Sequence, residues 1–211
     1  MKSQLQEIGM HYGTDKSRNN HKGITYLEKY DKYIAKRAGQ KLNLLEFGIL
    51  NGQSLLTWHD YLIFSNIIGV DIDPRCASFI KDRIDVYIGS QDSIDICNKI
   101  KNKYGTVDII IDDAAHINEL ILKSFELYWP LLGNNGIYII EDLPICWGDM
   151  SEYSKSWPGM EYNRSDLQLD NVQIDIDKFI IDKIKDIQHN PNTDIYSIDF
   201  TLGSMIFTKK I

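Results

Sequence analysis

The chain has 211 residues, of which 43% are hydrophobic and 25% are charged, a composition typical of a single globular domain with a substantial core. Its 30 acidic and 23 basic residues give a formal net charge of −7. This balance argues against general binding to nucleic acid, because affinity for phosphates requires concentrated Lys and Arg. A small polar molecule or a specific protein is therefore the expected partner.

The cysteines and the first residues indicate the compartment. Cys76, Cys97 and Cys146 lie far apart and form no CxxC pair, so neither a disulfide framework nor a zinc site is expected. Segment 1–13 lacks the apolar stretch of a signal peptide, and no apolar run approaches the ~18 residues of a membrane span. We expect a cytoplasmic protein that does not associate with membranes.

Short apolar segments alternate with helical segments along the first 140 residues. Strand-like segments are 43–47, 66–70, 85–88, 107–111 and 136–140, and helical segments are 54–61, 75–83, 94–103 and 117–129. Strands that are covered on both faces have continuous rather than alternating apolar residues, as these do. The pattern predicts an α/β fold in which helices cover both faces of a parallel sheet.

The C-terminal part departs from this alternation. After a helical segment at 176–187, two strand-like segments at 195–202 and 204–209 are separated only by Gly203, so they can pair only as an antiparallel hairpin. The segment 144–190 fits the pattern least, and long irregular segments are often functional. We predict one domain, 1–211, with an N-terminal cap segment at 1–40 and a substrate lid at 144–190; a plain surface loop is the alternative for the lid.

The first strand-like segment runs into a glycine-containing loop. Glu46, Gly48 and Gly52 form the pattern Glu-x-Gly-x-x-x-Gly, in which the glycines let backbone N–H groups approach a nucleoside. A dinucleotide fold requires Gly-x-Gly-x-x-Gly, but the second position after Gly48 is Leu50. The loop resembles that of S-adenosylmethionine-dependent methyltransferases. The resemblance implies that Glu46, Gly48, Gly52 and Ser54 contact the cofactor.

Two later strand ends supply further polar residues. Asp71 ends the second strand, where a carboxylate can accept hydrogen bonds from both ribose hydroxyls. A solvated turn residue is the alternative, and NAD enzymes share this acid, so Asp71 alone does not identify the cofactor. The turn after the third strand lies beside the adenine in methyltransferases, which implies adenine contacts for Ser90, Gln91 and Asp92. An ordinary polar turn is the alternative for these three residues.

Four carboxylates and one imidazole follow the fourth and fifth strands. They belong to Asp112, Asp113, His116, Glu141 and Asp142. Carboxylates packed closely together repel one another unless a cation or protons intervene, and oxygen-rich sites suit Mg²⁺, Mn²⁺ or Ca²⁺. A non-heme iron triad requires two histidines, and His116 is the only one in this part of the sequence. The alternatives are that Asp113 caps the next helix and that Asp142 simply ends a strand.

A narrower resemblance rests on several motifs together. These are Asp112-Asp113-Ala114-Ala115-His116, Ser124-Phe125-Glu126, Trp129-Pro130-Leu131-Leu132, the segment 136–143, Gly13-Thr14-Asp15-Lys16, and the pair Tyr26 and Tyr30. They are similar to motifs of the metal-dependent macrolide sugar O-methyltransferases of the mycinamicin type, over most of 13–143. That family usually has Gly-Ser before the histidine, where this chain has two alanines.

The resemblance implies a Rossmann-like seven-stranded methyltransferase sheet, with five parallel strands, a C-terminal antiparallel hairpin and helices on both faces. It implies S-adenosylmethionine and Mg²⁺ or Mn²⁺ as cofactors, Asp113, Glu141 and Asp142 as metal ligands, His116 as the base, and a sugar hydroxyl as the acceptor. A metal-dependent hydroxylase and a non-catalytic binding relative are the alternatives. Nucleotide-linked sugars, surface glycans and secondary metabolites all remain possible acceptors, and a homo-oligomer is the default expectation.

Overall fold

The described residues, which are 2–18, 24–143, 176–201 and 203–211, form six α-helices and seven β-strands in the computed structural model. The helices are α1 (Gln4–Tyr12), α2 (Tyr26–Ile34), α3 (Gln53–Tyr61), α4 (Ile94–Tyr104), α5 (Asn118–Tyr128) and α6 (Ile176–His189). The strands are β1 (Asn43–Phe47), β2 (Asn66–Asp71), β3 (Ile84–Ile88), β4 (Val107–Asp112), β5 (Leu132–Ile140), β6 (Ile195–Thr201) and β7 (Ser204–Lys209).

The seven strands form one mixed sheet in the order β3-β2-β1-β4-β5-β7-β6. The first five strands pair in parallel, whereas β7 pairs antiparallel with both β5 and β6. β7 therefore lies between β5 and β6 and runs against the other six strands. The predicted sheet of five parallel strands and a C-terminal antiparallel hairpin is confirmed. The insertion of β7 beside β5 is a tertiary feature that the sequence pattern did not specify.

Helices bury both faces of the sheet, because successive residues of a strand point to opposite faces. Leu44 of β1 belongs to an apolar cluster with residues of α1, α2 and α3, including Trp58. The next residue, Leu45, belongs to a second cluster with residues of α4, α5 and α6, including Phe125. This double coverage is the physical reason for the continuous apolar segments in the sequence.

Two predicted elements differ from those in the structure. The predicted helix at 75–83 is a 3-10 helix at Pro74–Phe79, which Asp73 begins by accepting a hydrogen bond from the Arg75 N–H at 2.9 Å. Arg83 has a φ of 59°, so a regular helix cannot continue through it. The fifth strand begins at Leu132 rather than 136, and its pairing with β4 shifts register between Val107 and Ile109.

The predicted lid lies mostly outside the described residues. Positions 144–175 are not among them, and these include Cys146, Trp147, Trp157 and Tyr162. The last part of the predicted lid is α6, which buries Ile176 and Ile180 against the sheet. Among the described helices, none combines the length and the apolar character that crossing a membrane requires.

Phe125 of α5 is the centre of an aromatic cluster that joins four elements. Its ring centroid lies 5.0 Å from that of Trp129, 4.9 Å from that of Tyr138, 5.2 Å from that of Phe179 and 4.8 Å from that of Phe207. These rings connect α5 and its C-terminal turn with β5, α6 and β7. Because α6 and β7 follow the undescribed segment 144–175, this cluster ties the end of the chain to the parallel part of the sheet.

We expect Phe125→Ala to lower the free energy of unfolding by about 3–5 kcal/mol, because it removes a buried ring and leaves a cavity among four other rings. Urea unfolding followed by circular dichroism measures this loss. Tyr196→Ala is the control, since the Tyr196 side chain on β6 is 70% exposed, and its cost should stay below about 1 kcal/mol. Equal losses in the two variants would contradict the role given to the cluster.

Candidate active site

The loop between β1 and α3 contains two glycines, and one of them, Gly48, lies against the end of β4. Gly48 has a φ of 86° and Gly52 a φ of 71°, in the left-handed region that favours glycine. A Cβ atom on Gly48 would lie 2.1 Å from the backbone carbonyl oxygen of Asp113. Only glycine therefore allows the β1–α3 loop and the β4–α5 loop to lie against each other.

Asp71, at the end of β2, holds the glycine-containing loop in place. Its Oδ2 accepts hydrogen bonds from the backbone N–H groups of Ile49 at 2.7 Å and Leu50 at 3.2 Å. Its Oδ1 accepts from the Asp73 N–H at 2.8 Å. A carboxylate oxygen can accept two hydrogen bonds, so Oδ1 keeps the capacity for one further donor. The predicted contact with a ribose hydroxyl stays a prediction.

The three residues predicted to contact adenine differ in their surroundings. Ser90 and Asp92 are half-buried, and the Ser90 hydroxyl donates to the Asp92 carboxylate. Gln91 is buried, and its Nε2 donates to Asp112 Oδ1 at 2.9 Å. Its Oε1 accepts from the Ala115 N–H at 3.1 Å. The Gln91 side chain thus connects Asp112 with the backbone of the β4–α5 loop. Ser90 and Asp92 are more exposed than Gln91.

Asp112 and Asp113 are adjacent in sequence but have separate surroundings, as neighbouring residues at a strand end commonly do. Asp112 is buried and accepts hydrogen bonds from Ser124 Oγ at 2.7 Å and the Tyr138 hydroxyl at 3.1 Å, in addition to Gln91. Burial raises the pKa of Asp112 to about 6, and these donors oppose the rise. Asp112 is therefore an internal polar support, and Asp113 is the acid of this pair that faces the site.

Asp113, His116 and Asp142 form a group that we call the outer group. His116 Nε2 lies 3.8 Å from Asp113 Oδ1 and 3.6 Å from Asp142 Oδ2. These distances are too long for direct hydrogen bonds. Each of the three side chains offers one ligand atom, and these atoms all lie within 4.8 Å of one another. Two carboxylates and an imidazole at this spacing suit a divalent cation.

Two of the three residues of the outer group have a strained backbone. His116 has a φ of 51° and Asp142 a φ of 56°, both in the left-handed region that non-glycine residues rarely adopt. The Tyr26 hydroxyl of α2 donates to Asp142 Oδ1 at 2.8 Å and accepts from the Asp142 N–H at 3.3 Å. Strained residues persist where surrounding contacts hold them, and they cluster at functional sites. Tyr26 is one such contact.

Lys16 and three carboxylates form a second group, which we call the inner group. Lys16 is 2% exposed, and its Nζ lies 3.6 Å from Glu46 Oε1 and 3.0 Å from each carboxylate oxygen of Glu141. It also donates a hydrogen bond to Asp113 Oδ2. Burial alone would lower the pKa of Lys16, but the surrounding carboxylates outweigh it and hold that pKa well above its usual value.

The positive charge of Lys16 does not fully offset the effect of burial on the carboxylates of the inner group. Burial raises the pKa of Glu46 to about 7, although Lys16 and the Ser54 hydroxyl, which donates to Glu46 Oε2 at 2.8 Å, oppose the rise. Burial and the nearby Asp113 carboxylate raise the pKa of Glu141 well above its usual value, again against Lys16. Three acids share one ammonium group, so this edge of the sheet attracts additional positive charge.

The predicted site residues thus separate into two sets. Asp113, Asp142 and His116 come together as expected, whereas Glu141, the third predicted metal ligand, faces Lys16. Sequence reasoning assigned no role to Lys16 or Tyr26. A signal was present, because both residues lie in the N-terminal motifs that carry the resemblance. Sequence alone did not show that these motifs reach the strand ends.

No protein-family model matches the chain. The chain is 27% identical over 191 residues to demethylmacrocin O-methyltransferase of Streptomyces fradiae, covering 87% of this chain and 45% of that protein. It is also 27% identical over 201 residues to mycinamicin VI 2''-O-methyltransferase of Micromonospora griseorubida, covering 90% of this chain and 47% of that protein. The chain therefore spans about half the length of these curated relatives.

A solved structure shows the same fold. The MycE methyltransferase of the mycinamycin biosynthetic pathway, in complex with Mg and SAH, superposes with a TM-score of 0.77 at 23% sequence identity. The match covers 100% of this chain and 55% of that one. The chain is thus similar in sequence to macrolide sugar O-methyltransferases, and its structure has the class I methyltransferase fold.

Proposed function

We propose that the chain is an S-adenosylmethionine-dependent, divalent-metal-assisted O-methyltransferase that acts on a hydroxyl of a sugar or sugar-containing small molecule. One observation carries this proposal: the glycine-containing loop lies directly against the β4–α5 loop, which bears Asp113 and His116 of the outer group. A Cβ atom on Gly48 would not fit between the two loops. A methyl donor in the first loop and an acceptor hydroxyl at the outer group would then be neighbours. Sequence similarity to two O-methyltransferases supports the reaction class.

The residues around the glycine-containing loop fit a nucleoside cofactor. Gly48 and Gly52 have the left-handed conformation that lets backbone approach a ligand, and Asp71 has one carboxylate oxygen able to accept a further donor such as a ribose hydroxyl. Ser90 and Asp92 are accessible polar groups in the neighbouring turn. When bound, S-adenosylmethionine supplies a methyl group attached to a sulfonium sulfur. This sulfur is a good leaving group because it becomes a neutral thioether.

The outer group fits a divalent cation, because carboxylate oxygens of Asp113 and Asp142 converge there beside the His116 ring. Asp113 and Asp142 would hold the ion. When bound, Mg²⁺ or Mn²⁺ supplies positive charge that orients neighbouring sugar hydroxyls and lowers the pKa of the reacting one. The resemblance implies Glu141 as a further ligand, although the structure pairs Glu141 with Lys16.

His116 is the proposed base. His116 Nε2 would take the proton of the acceptor hydroxyl while that oxygen receives the methyl group. Asp113 Oδ1 and Asp142 Oδ2 lie 3.8 and 3.6 Å from this nitrogen. The strained backbone of His116, with its φ of 51°, aims the ring at this position.

We expect S-adenosylhomocysteine to bind the purified chain with a dissociation constant in the micromolar range, both with Mg²⁺ and in EDTA, because the metal lies on the acceptor side. Isothermal titration calorimetry measures this binding. Gly48→Ala should abolish it, since the new Cβ would displace the loop, whereas Gly105→Ala should not. Gly105 also has a left-handed φ, 77°, but has no atom within 4 Å of the added Cβ. Absence of binding to the unchanged chain in both conditions would refute the cofactor assignment.

We expect His116→Ala to lower the rate of methyl transfer by about 10²–10⁴-fold while leaving S-adenosylhomocysteine binding intact, because general-base help contributes about that factor. The assay follows transfer of a radiolabelled methyl group to a panel of nucleotide-linked deoxysugars and macrolide glycosides. His59→Ala is the control, since His59 pairs with Asp60 on α3. A normal rate in the His116 variant would remove this residue from the mechanism.

A further inference from the structure

The hydroxyl of Tyr26, the first residue of α2, lies between the end of β5 and the turn that joins β6 to β7. We propose that Tyr26 is a positioning residue for Asp142, one of the proposed metal ligands, and that Gly203 keeps the Tyr26 hydroxyl in place. The inference rests on the metal-assisted function proposed above. It gives a part in metal binding to α2 and to the C-terminal hairpin, neither of which supplies a proposed metal ligand.

Tyr26 holds both the side chain and the backbone of Asp142. Its hydroxyl donates to Asp142 Oδ1 at 2.8 Å and accepts from the Asp142 N–H at 3.3 Å. With Oδ1 in this contact, the other carboxylate oxygen, Oδ2, lies 3.6 Å from His116 Nε2 within the outer group. Asp142 has a φ of 56°, a conformation that needs support from surrounding contacts. One hydroxyl therefore fixes both the direction of the carboxylate and the strained backbone that carries it.

Gly203, in the turn between β6 and β7, leaves the space that the Tyr26 hydroxyl occupies. Its φ is 82°, and a Cβ atom on it would lie 2.5 Å from the hydroxyl oxygen. Its carbonyl oxygen lies 3.1 Å from the same hydroxyl and accepts from the Leu143 N–H at 3.1 Å. A hydroxyl has one hydrogen, and the shorter distance and negative charge of Asp142 Oδ1 favour that acceptor. The hairpin turn thus packs directly against the contact between Tyr26 and Asp142.

The ring of Tyr26 is held in place, so the hydroxyl has a rigid support. The side chain is 6% exposed, and its ring stacks on that of Tyr30 with centroids 5.9 Å apart. Lys29 Nζ lies 4.6 Å from the centroid of the Tyr26 ring. Thr25 and Glu28 form a capping box that fixes the start of α2, with the Thr25 N–H donating to Glu28 Oε2 at 2.9 Å. A ring held on this many sides cannot easily follow Asp142 if the carboxylate moves.

These contacts give the direction of the expected effect. Groups that hydrogen-bond to a metal ligand orient it, and their loss typically costs about 10–100-fold in metal affinity. Tyr26→Phe keeps the ring and removes only the hydroxyl, so Asp142 loses one contact to its carboxylate and one to its N–H. A tyrosine that served only to fill the core would lose stability in this variant without a selective loss of metal affinity.

The test is Mn²⁺ binding to the purified full chain, measured by calorimetry without cofactor or methyl acceptor. Tyr26→Phe should bind Mn²⁺ at least about tenfold more weakly than the unchanged chain. Tyr61→Phe is the matched control, because Tyr61 is also buried and its hydroxyl also donates to a carboxylate, that of Asp31 at 3.0 Å, outside the outer group. Its Mn²⁺ affinity should stay within about threefold of the unchanged chain.

Gly203→Ala tests the same contact while Tyr26 is kept. The added Cβ should displace the hydroxyl and weaken Mn²⁺ binding at least about tenfold. Gly105→Ala is its control, since Gly105 has a similar φ of 77° but no atom within 4 Å of the added Cβ. This control separates displacement of Tyr26 from the strain of an alanine in the left-handed region. Combining Gly203→Ala with Tyr26→Phe should weaken binding little more than Tyr26→Phe alone, because both changes remove one contact.

Two comparisons decide the outcome. Asp142→Asn gives the scale, because it alters the proposed ligand itself. Mn²⁺ affinity within about threefold of the unchanged chain in Tyr26→Phe, beside a loss of at least about tenfold in Asp142→Asn, would overturn the proposal. Additive losses in the double variant would contradict the part given to Gly203. If Tyr26→Phe fails to fold in a thermal unfolding measurement, Gly203→Ala against Gly105→Ala still decides whether displacement of the hydroxyl weakens metal binding.

Titration of S-adenosylhomocysteine into the same proteins tests the proposed function separately. Its affinity should be the same in Tyr26→Phe and in the unchanged chain, because the Tyr26 hydroxyl contacts the metal side of the site. Equal losses of cofactor and Mn²⁺ affinity would mean a general structural role and refute the proposal for Tyr26. Cofactor binding with no effect of Tyr26→Phe on Mn²⁺ would leave the methyltransferase proposal standing and refute this one. The expected Mn²⁺ pattern without cofactor binding to the unchanged chain would do the reverse.

Discussion

The structure depends on how negative charge is compensated at the carboxyl edge of the parallel sheet. β1, β4 and β5 are neighbours, so Glu46, Asp113 and Glu141 meet where these strands end. All three are largely withdrawn from water, and like charges in such surroundings require a counterion. Lys16 provides one from a 3-10 turn near the start of the chain. The N-terminal segment is thereby part of the site rather than a cover over it.

This compensation also explains the arrangement of the site in two layers. The inner group is buried, and its one ammonium leaves Glu46 Oε1 and Glu141 Oε1 without a hydrogen-bond partner. The outer group is half-buried and strained, with His116 and Asp142 both in left-handed conformations that their neighbours hold. Asp113 belongs to both groups through different oxygens. The buried inner group thereby fixes the position of Asp113 in the outer group, which would carry the chemistry.

Several features of the fold followed from the sequence because they depend on local patterns. Continuous apolar segments predicted buried parallel strands, and the single glycine between the last two strands predicted their hairpin. The α-helix predicted at 75–83 was wrong: the segment is a 3-10 helix at Pro74–Phe79, and the left-handed Arg83 prevents a helix from reaching 83. The place of β7 between β5 and β6 depends on packing of α6 and the Phe125 cluster, which lie far apart in sequence.

By itself, the sequence determined the α/β fold class, the glycine-containing loop and the residue types at each strand end, because the period of apolar residues and the conformational freedom of glycine are local properties. Only the tertiary structure decided how those residues associate. It placed Asp112 and Gln91 in an internal network, turned Glu141 toward Lys16, and left Asp113, His116 and Asp142 together. The physical reason is that side-chain direction and charge compensation depend on neighbours from distant parts of the chain.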